Sequence, residues 1–135
     1  MFEINYLAVV VAAIVGFGLG ALWYGPLFGR QWKALMGFTD ESMRSMQMTP
    51  AKSMTLGALT TLVMAYVLAH FVSLAGATSV TAGMTLAFWL WLGFFATTQM
   101  GDVLWNNKPW KLYLLNASYY LVELLLMAGI LGVWQ

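Results

Sequence analysis

The sequence predicts an all-α membrane protein: four transmembrane helices in an up-down bundle, with a short interfacial amphipathic helix between the first and the second, in a single domain over residues 1–135. Three observations lead there. Apolar residues make up 61% of the chain and charged residues 8%, far from the roughly 25% charge of an average soluble domain. Four apolar runs, residues 5–24, 52–75, 80–105 and 109–134, each match the roughly 20 residues a helix needs to cross a ~30 Å hydrocarbon core. All six Lys and Arg residues lie in or beside the first and third connections, none in the second or in the tails.

Span one opens at Asn5, whose side chain can cap the first free N–H groups, and closes at Tyr24. Gly25 and Pro26 break the helix there, and Trp23 and Tyr24 suit the lipid–water interface. Its amino end carries Glu3 and no Lys or Arg, the reverse of a positive leader region, so the run reads as a span rather than a cleaved signal. The stretch "PLFGRQWKALMGF" spaces Trp32, Leu35 and Met36 along one face with Arg30 and Lys33 elsewhere, the pattern of an interfacial helix that Gly37 ends. In "MRSMQM", Met43, Met46 and Met48 carry thioethers of the kind that bind copper(I). With one His and no Cys in the chain they read instead as the apolar side of a second short interfacial helix, and no metal or other cofactor is expected. Thr49 and Pro50 open span two, Thr78 or Ser79 caps span three after the turn "GATS", and Asn107 with Pro109 opens span four, which runs to Trp134.

The charge asymmetry sets an orientation. Arg30, Lys33, Arg44, Lys52, Lys108 and Lys111 belong on the cytoplasmic side, which leaves both termini outside. A net charge of +1 gives no basic field for a nucleic acid, so the partners are the lipid bilayer, protein or a small molecule. Helices in lipid approach closely where small residues line one face. Span one offers Gly16 and Gly20; span two Gly57, Thr61, Ala65 and Ala69; span three Gly93, Thr97 and Gly101; span four Ala128 and Gly132. Four short helices leave some of these to spare, so a homo-oligomer is expected, a dimer first, with another membrane protein as the other candidate partner.

Ionisable groups inside a membrane are costly and mark functional candidates. Glu123 lies about 18 Å beyond Lys111, near the midplane, on a face that also carries Asn116, Tyr119 and Tyr120. The same ruler puts Tyr66 and Trp91 near its level and His70 nearer the outer surface. A carboxylate among such rings would hold an organic cation or carry a proton, with His70 as outer relay. The simpler role is that of a protonated Glu123 donating one hydrogen bond to Tyr66, Asn116 or a neighbouring chain's backbone. Asp102, near the cytoplasmic end of span three, calls for a cation from Arg30, Lys33, Lys108 or Lys111, and Gln99 is placed to bond Asn116.

The stretch "LWYGPLFG", Leu22 to Gly29, followed by Trp32, resembles the uncharacterised bacterial membrane family known as domain of unknown function 1761, and the likeness covers essentially the whole chain. A lysine is common in that family where Arg30 stands here. The resemblance implies a four-helix protein of the bacterial inner membrane and brings no activity. At an interface the motif residues Trp23, Tyr24, Gly25, Pro26, Phe28, Gly29 and Trp32 serve as anchor and helix stop; the alternative is a binding surface for a partner or lipid headgroup. Two function classes remain: a non-enzymatic bundle acting through association, and a small proton-coupled transporter or cation-binding protein centred on Glu123. An enzyme is not expected, because a nucleophile with an aligned base or metal is missing from the sequence.

Overall fold

A computed structural model describes residues 3–135. All regular structure among them is helical. Four helices are long and apolar enough to cross a membrane: α1 (Tyr6–Leu27), α4 (Pro50–Leu74), α5 (Val80–Leu104) and α6 (Trp110–Val133), with the short α2 (Gly29–Met36) and α3 (Asp40–Arg44) between α1 and α4.

Three of the expected caps form. Asn5, Thr49 and Ser79 accept hydrogen bonds from the backbone N–H groups of Ala8, Lys52 and Ala82 at 3.1–3.2 Å, each satisfying a first-turn donor. Gly37 ends α2 in the left-handed conformation, φ 76°.

Several boundaries differ from expectation, each for a backbone reason. Span one does not stop at Tyr24. It continues to Leu27 through a π turn in which Phe28 N–H reaches back five residues to Trp23 O at 2.8 Å. Widening the turn accommodates Pro26, which has no N–H to donate, and Gly25 leaves the helical region at φ −105°, ψ −105°. Asn107 does not cap span four: its own φ is 54°, it belongs to the reversing turn, and Pro109 flanks the first helical residue, Trp110. Span two starts at Pro50, while spans three and four end at Leu104 and Val133. In the loop α3 ends at Arg44, so Met43 is helical while Met46 and Met48 lie in irregular chain, and no helical stripe of three methionines forms.

Central to the fold is α6. Ten of its 24 residues are buried, against three of the 25 in α5. It packs on α5, α1 and α4, and α1 also packs on α4. On α5 the close-approach residues are Gly83 and Ala87, both buried. A Cβ on Gly83 would collide with the Ala128 carbonyl, and one on Gly132 with the Ser79 carbonyl, so the two backbones meet directly. Sequence spacing pointed instead to Gly93, Thr97 and Gly101, but a Cβ on Gly93 would meet nothing within 4 Å. A second π turn, Trp91–Ala96, rotates the register of α5 between its halves, so a stripe counted by fours across it does not stay on one face.

Consecutive in sequence, α4 and α5 make almost no direct contact. Between them lies an apolar groove of about 280 Å³, walled by Val67 and Phe71 of α4, Leu90 and Phe94 of α5, and floored by Leu124 of α6. Threonine hydroxyls on these helices bond back to their own carbonyls, as Thr55 to Ala51, Thr85 to Thr81 and Thr97 to Gly93, each at 2.8 Å. These bonds satisfy the hydroxyl donors within their own helices, with no need of water or a neighbouring helix.

Candidate functional site

The polar face expected on span four exists, and α1 is shaped to receive it. Tyr119 and Glu123, four residues apart on α6, are 8% and 2% exposed, and the Tyr119 hydroxyl donates to Glu123 Oε2. Gly16 and Gly20 of α1 form the facing wall. A Cβ on Gly20 would lie 2.8 Å from the Tyr119 oxygen, and one on Gly16 3.4 Å from Glu123 Cγ and 2.8 Å from Met127 Sδ. The glycines of span one thus make room for the largest buried polar side chains of span four. A carboxyl this deeply buried requires a partner, and Tyr119 supplies it from one turn away on the same helix.

The aromatic motif of α1 closes over the same face. Tyr24 donates to Asn116 Oδ1 at 2.6 Å, and its ring meets those of Tyr119 at 5.1 Å and Trp32 at 5.7 Å. Trp23 packs between Phe28, at 4.9 Å, and Tyr119, at 6.0 Å; among the described residues its Nε1 is the one buried side-chain N or O atom without a partner. Gly29 is buried where a Cβ would lie 2.7 Å from the Tyr24 carbonyl, so only glycine lets α2 begin against the π turn. Sequence reading treated this motif and the span-four face as separate features. The π turn joins them, because it carries Tyr24 and then Trp32 back over Asn116.

Other candidates lie elsewhere. Tyr66 is 41% exposed, stacks on Tyr6 at 6.3 Å and meets the His70 ring edge to face at 4.6 Å, while His70 Nδ1 sits 2.9 Å from Tyr66 O. Trp91 donates its Nε1–H to Ala117 O at 2.8 Å, tying α5 to α6. The cage of Tyr66 and Trp91 around Glu123 is therefore not assembled. A depth ruler fixes level but not azimuth, and α4 turns Tyr66 outward. Tyr120 packs on Phe95 at 5.3 Å and on Tyr119 at 5.1 Å. Asp102 takes its hydrogen bond from Asn106 at 3.1 Å rather than from a Lys or Arg, because the turn brings Asn106 back over it. Gln99 does not bond Asn116, whose oxygen is taken by Tyr24.

One contact that sequence reading missed is Tyr113, whose hydroxyl donates to Ala96 O at 2.8 Å, at the end of the π turn in α5. A tyrosine facing a neighbouring helix was visible in the sequence, but the π turn was not. Two clefts flank Tyr24. One, of about 410 Å³, is bounded by Phe17, Ala21, Ser53 and Tyr119; the other, of about 270 Å³, by Trp32, Gln99, Asn116 and Tyr120. Among the described residues no three acidic or histidine side chains gather in a way that could hold a metal ion.

No curated protein and no solved structure matches the sequence. Residues 7–132 match the model of a family described as a protein of unknown function, DUF1761. That match spans nearly the whole chain and includes the aromatic turn, the glycine wall and the polar face of α6, so the protein belongs to the DUF1761 family.

Proposed function

We propose that this protein is a non-enzymatic membrane bundle that acts by associating with another transmembrane helix, a second copy of the chain in the first instance. The carrying observation is the apolar groove that the chain leaves uncovered between α4 and α5. On its α5 wall Phe94 protrudes at 66% exposure, and Gly93, the residue before it on α5, has open space where a side chain would be. Ring and glycine on one helix suit a two-fold contact in which each copy's ring packs on the other's glycine.

In this reading the four long helices run alternately up and down through a bacterial inner membrane. The positive residues of the first and third connections face the cytoplasm, and both termini lie outside. Support for α2 as an interfacial helix comes from Trp32, Leu35 and Met36, which are half-buried while Arg30 and Lys33 are exposed.

The chain has no cysteine, so Gly93→Cys introduces a sole thiol. Oxidation in native membranes gives a disulfide-linked dimer for Gly93→Cys and not for Ile14→Cys, on the exposed side of α1. A Gly93→Cys protein that stays monomeric sinks the reading. The alternative, a proton-coupled carrier or cation site at Glu123, is favoured by the burial of that carboxyl. It requires Glu123→Gln to abolish proton-linked uptake in liposomes; a structural Glu123 leaves folding intact in the same variant and shows no uptake to lose.

A further inference from the structure

The cleft on the α2 side of Tyr24 differs in kind from the apolar groove. Its lining residues, Tyr24, Trp32, Gln99, Asn116 and Tyr120, come from four parts of the chain: the π turn of α1, α2, the end of α5 and α6. Three are aromatic and two are amides; none is charged. The walls are held in place by contacts already described, Tyr24 by Asn116 and Trp32, and Tyr120 by Phe95 and Tyr119.

Inside these walls hydrogen-bonding capacity is unspent. Asn116 uses its oxygen for Tyr24, which leaves its amide nitrogen. Neither the Gln99 amide nor the Tyr120 hydroxyl has a hydrogen-bond partner among the described residues. Gln99 stands five residues before the end of α5 and Asn116 six after the start of α6, which puts the cleft about 8 Å inside the ends of the apolar helices. At that depth lipid offers such donors little, so they call for a ligand that brings acceptors.

We infer that this cleft binds an uncharged, lipid-soluble ring compound bearing carbonyl oxygens, of the quinone class: the Gln99 and Asn116 amides and the Tyr120 hydroxyl donate to the oxygens, and the Tyr24 and Trp32 rings, in edge-to-face contact with each other at 5.7 Å, form an aromatic wall for the ligand ring. The volume of about 270 Å³ admits one substituted ring, leaving an apolar tail to lie along the helices. The absence of Lys, Arg, Asp and Glu from the lining argues against a charged headgroup. Carbonyl acceptors also occur in the glycerol esters of phospholipids, but the aromatic wall favours a ring over an ester. This site is independent of the groove between α4 and α5.

Photolabelling of the full chain in liposomes with an azidoquinone tests the inference. Label is expected on peptides carrying Trp32, Gln99 or Asn116, and excess decylubiquinone removes it. Gln99→Met and Tyr120→Phe, which keep shape while removing donors, should each lower labelling about tenfold at subsaturating probe, the effect of losing one good hydrogen bond. Labelling that maps elsewhere, resists competition or is unchanged in both variants overturns the inference. Native mass spectrometry adds the lipid arm: a phospholipid retained by wild type, lost in Gln99→Met and not displaced by decylubiquinone overturns the ring assignment in favour of ester carbonyls.

Discussion

The two halves of α5 are built from the same residue types and behave in opposite ways. In the first half, Gly83 and Ala87 are buried against α6, with backbone meeting backbone. In the second half, Gly93 and Thr97 recur at the same spacing, yet Gly93 faces open space and Phe94 stands out from the surface. The difference is the π turn between them, Trp91–Ala96, which swings the later residues off the face that the earlier ones present. A small-residue stripe is an opportunity for packing, and helix register decides whether it is taken.

Substitutions at the two glycines test this contrast most directly. Gly83→Ala forces α5 from α6 against a backbone, at Ala128 and Gly129, that cannot yield, and should destabilise by about 3 kcal/mol in SDS unfolding followed by Trp fluorescence. A loss below about 1 kcal/mol would mean that the first half is not locked. Next is the buried pair on the packed face. Glu123→Ala removes the nearer of the two acceptors of the Tyr119 hydroxyl, leaving the Gly16 carbonyl at 3.4 Å, and should cost about 2 kcal/mol in the same assay, with Glu123→Gln recovering most of it. Equal losses in the two variants would assign a charge, rather than a hydrogen bond, to that position. Tyr24→Phe deletes the 2.6 Å bond to Asn116 but keeps the ring among its neighbours, and should cost about 1 kcal/mol. Gly93→Ala comes last and carries the opposite sign. With no atom within 4 Å of its new methyl group, the monomer should gain about 0.5 kcal/mol from helix propensity alone.

Class and capping were legible in the sequence because each rests on local rules. Asn5, Thr49 and Ser79 cap the helices they precede, and Gly37 ends α2 where the apolar pattern does. The polar face of span four was legible for a similar reason, since Asn116, Tyr119, Tyr120 and Glu123 recur at helical spacing. What the sequence hid is which helix each face meets. Distance along a helix can be counted from an interface, but azimuth depends on packing, so the count could not show that Tyr66 is turned outward or that Trp91 bonds Ala117, six residues before Glu123. The largest concealment was at Gly25 and Pro26, which read as a stop. A proline inside a widened turn leaves the same trace in sequence as a proline that ends a helix, and only the Phe28 to Trp23 hydrogen bond tells them apart.

That widened turn makes chain length itself a variable of the site. With Pro26 itself deleted, an ordinary α turn could run from Trp23 to Phe28, and α2 would be rotated by about 100° about the axis of α1. Trp32 would swing off Tyr24, and Gly29 would no longer lie under the Tyr24 carbonyl. A deletion that removes no named contact would therefore dismantle the aromatic cover of Asn116, whereas many single substitutions in the same stretch would leave its geometry standing.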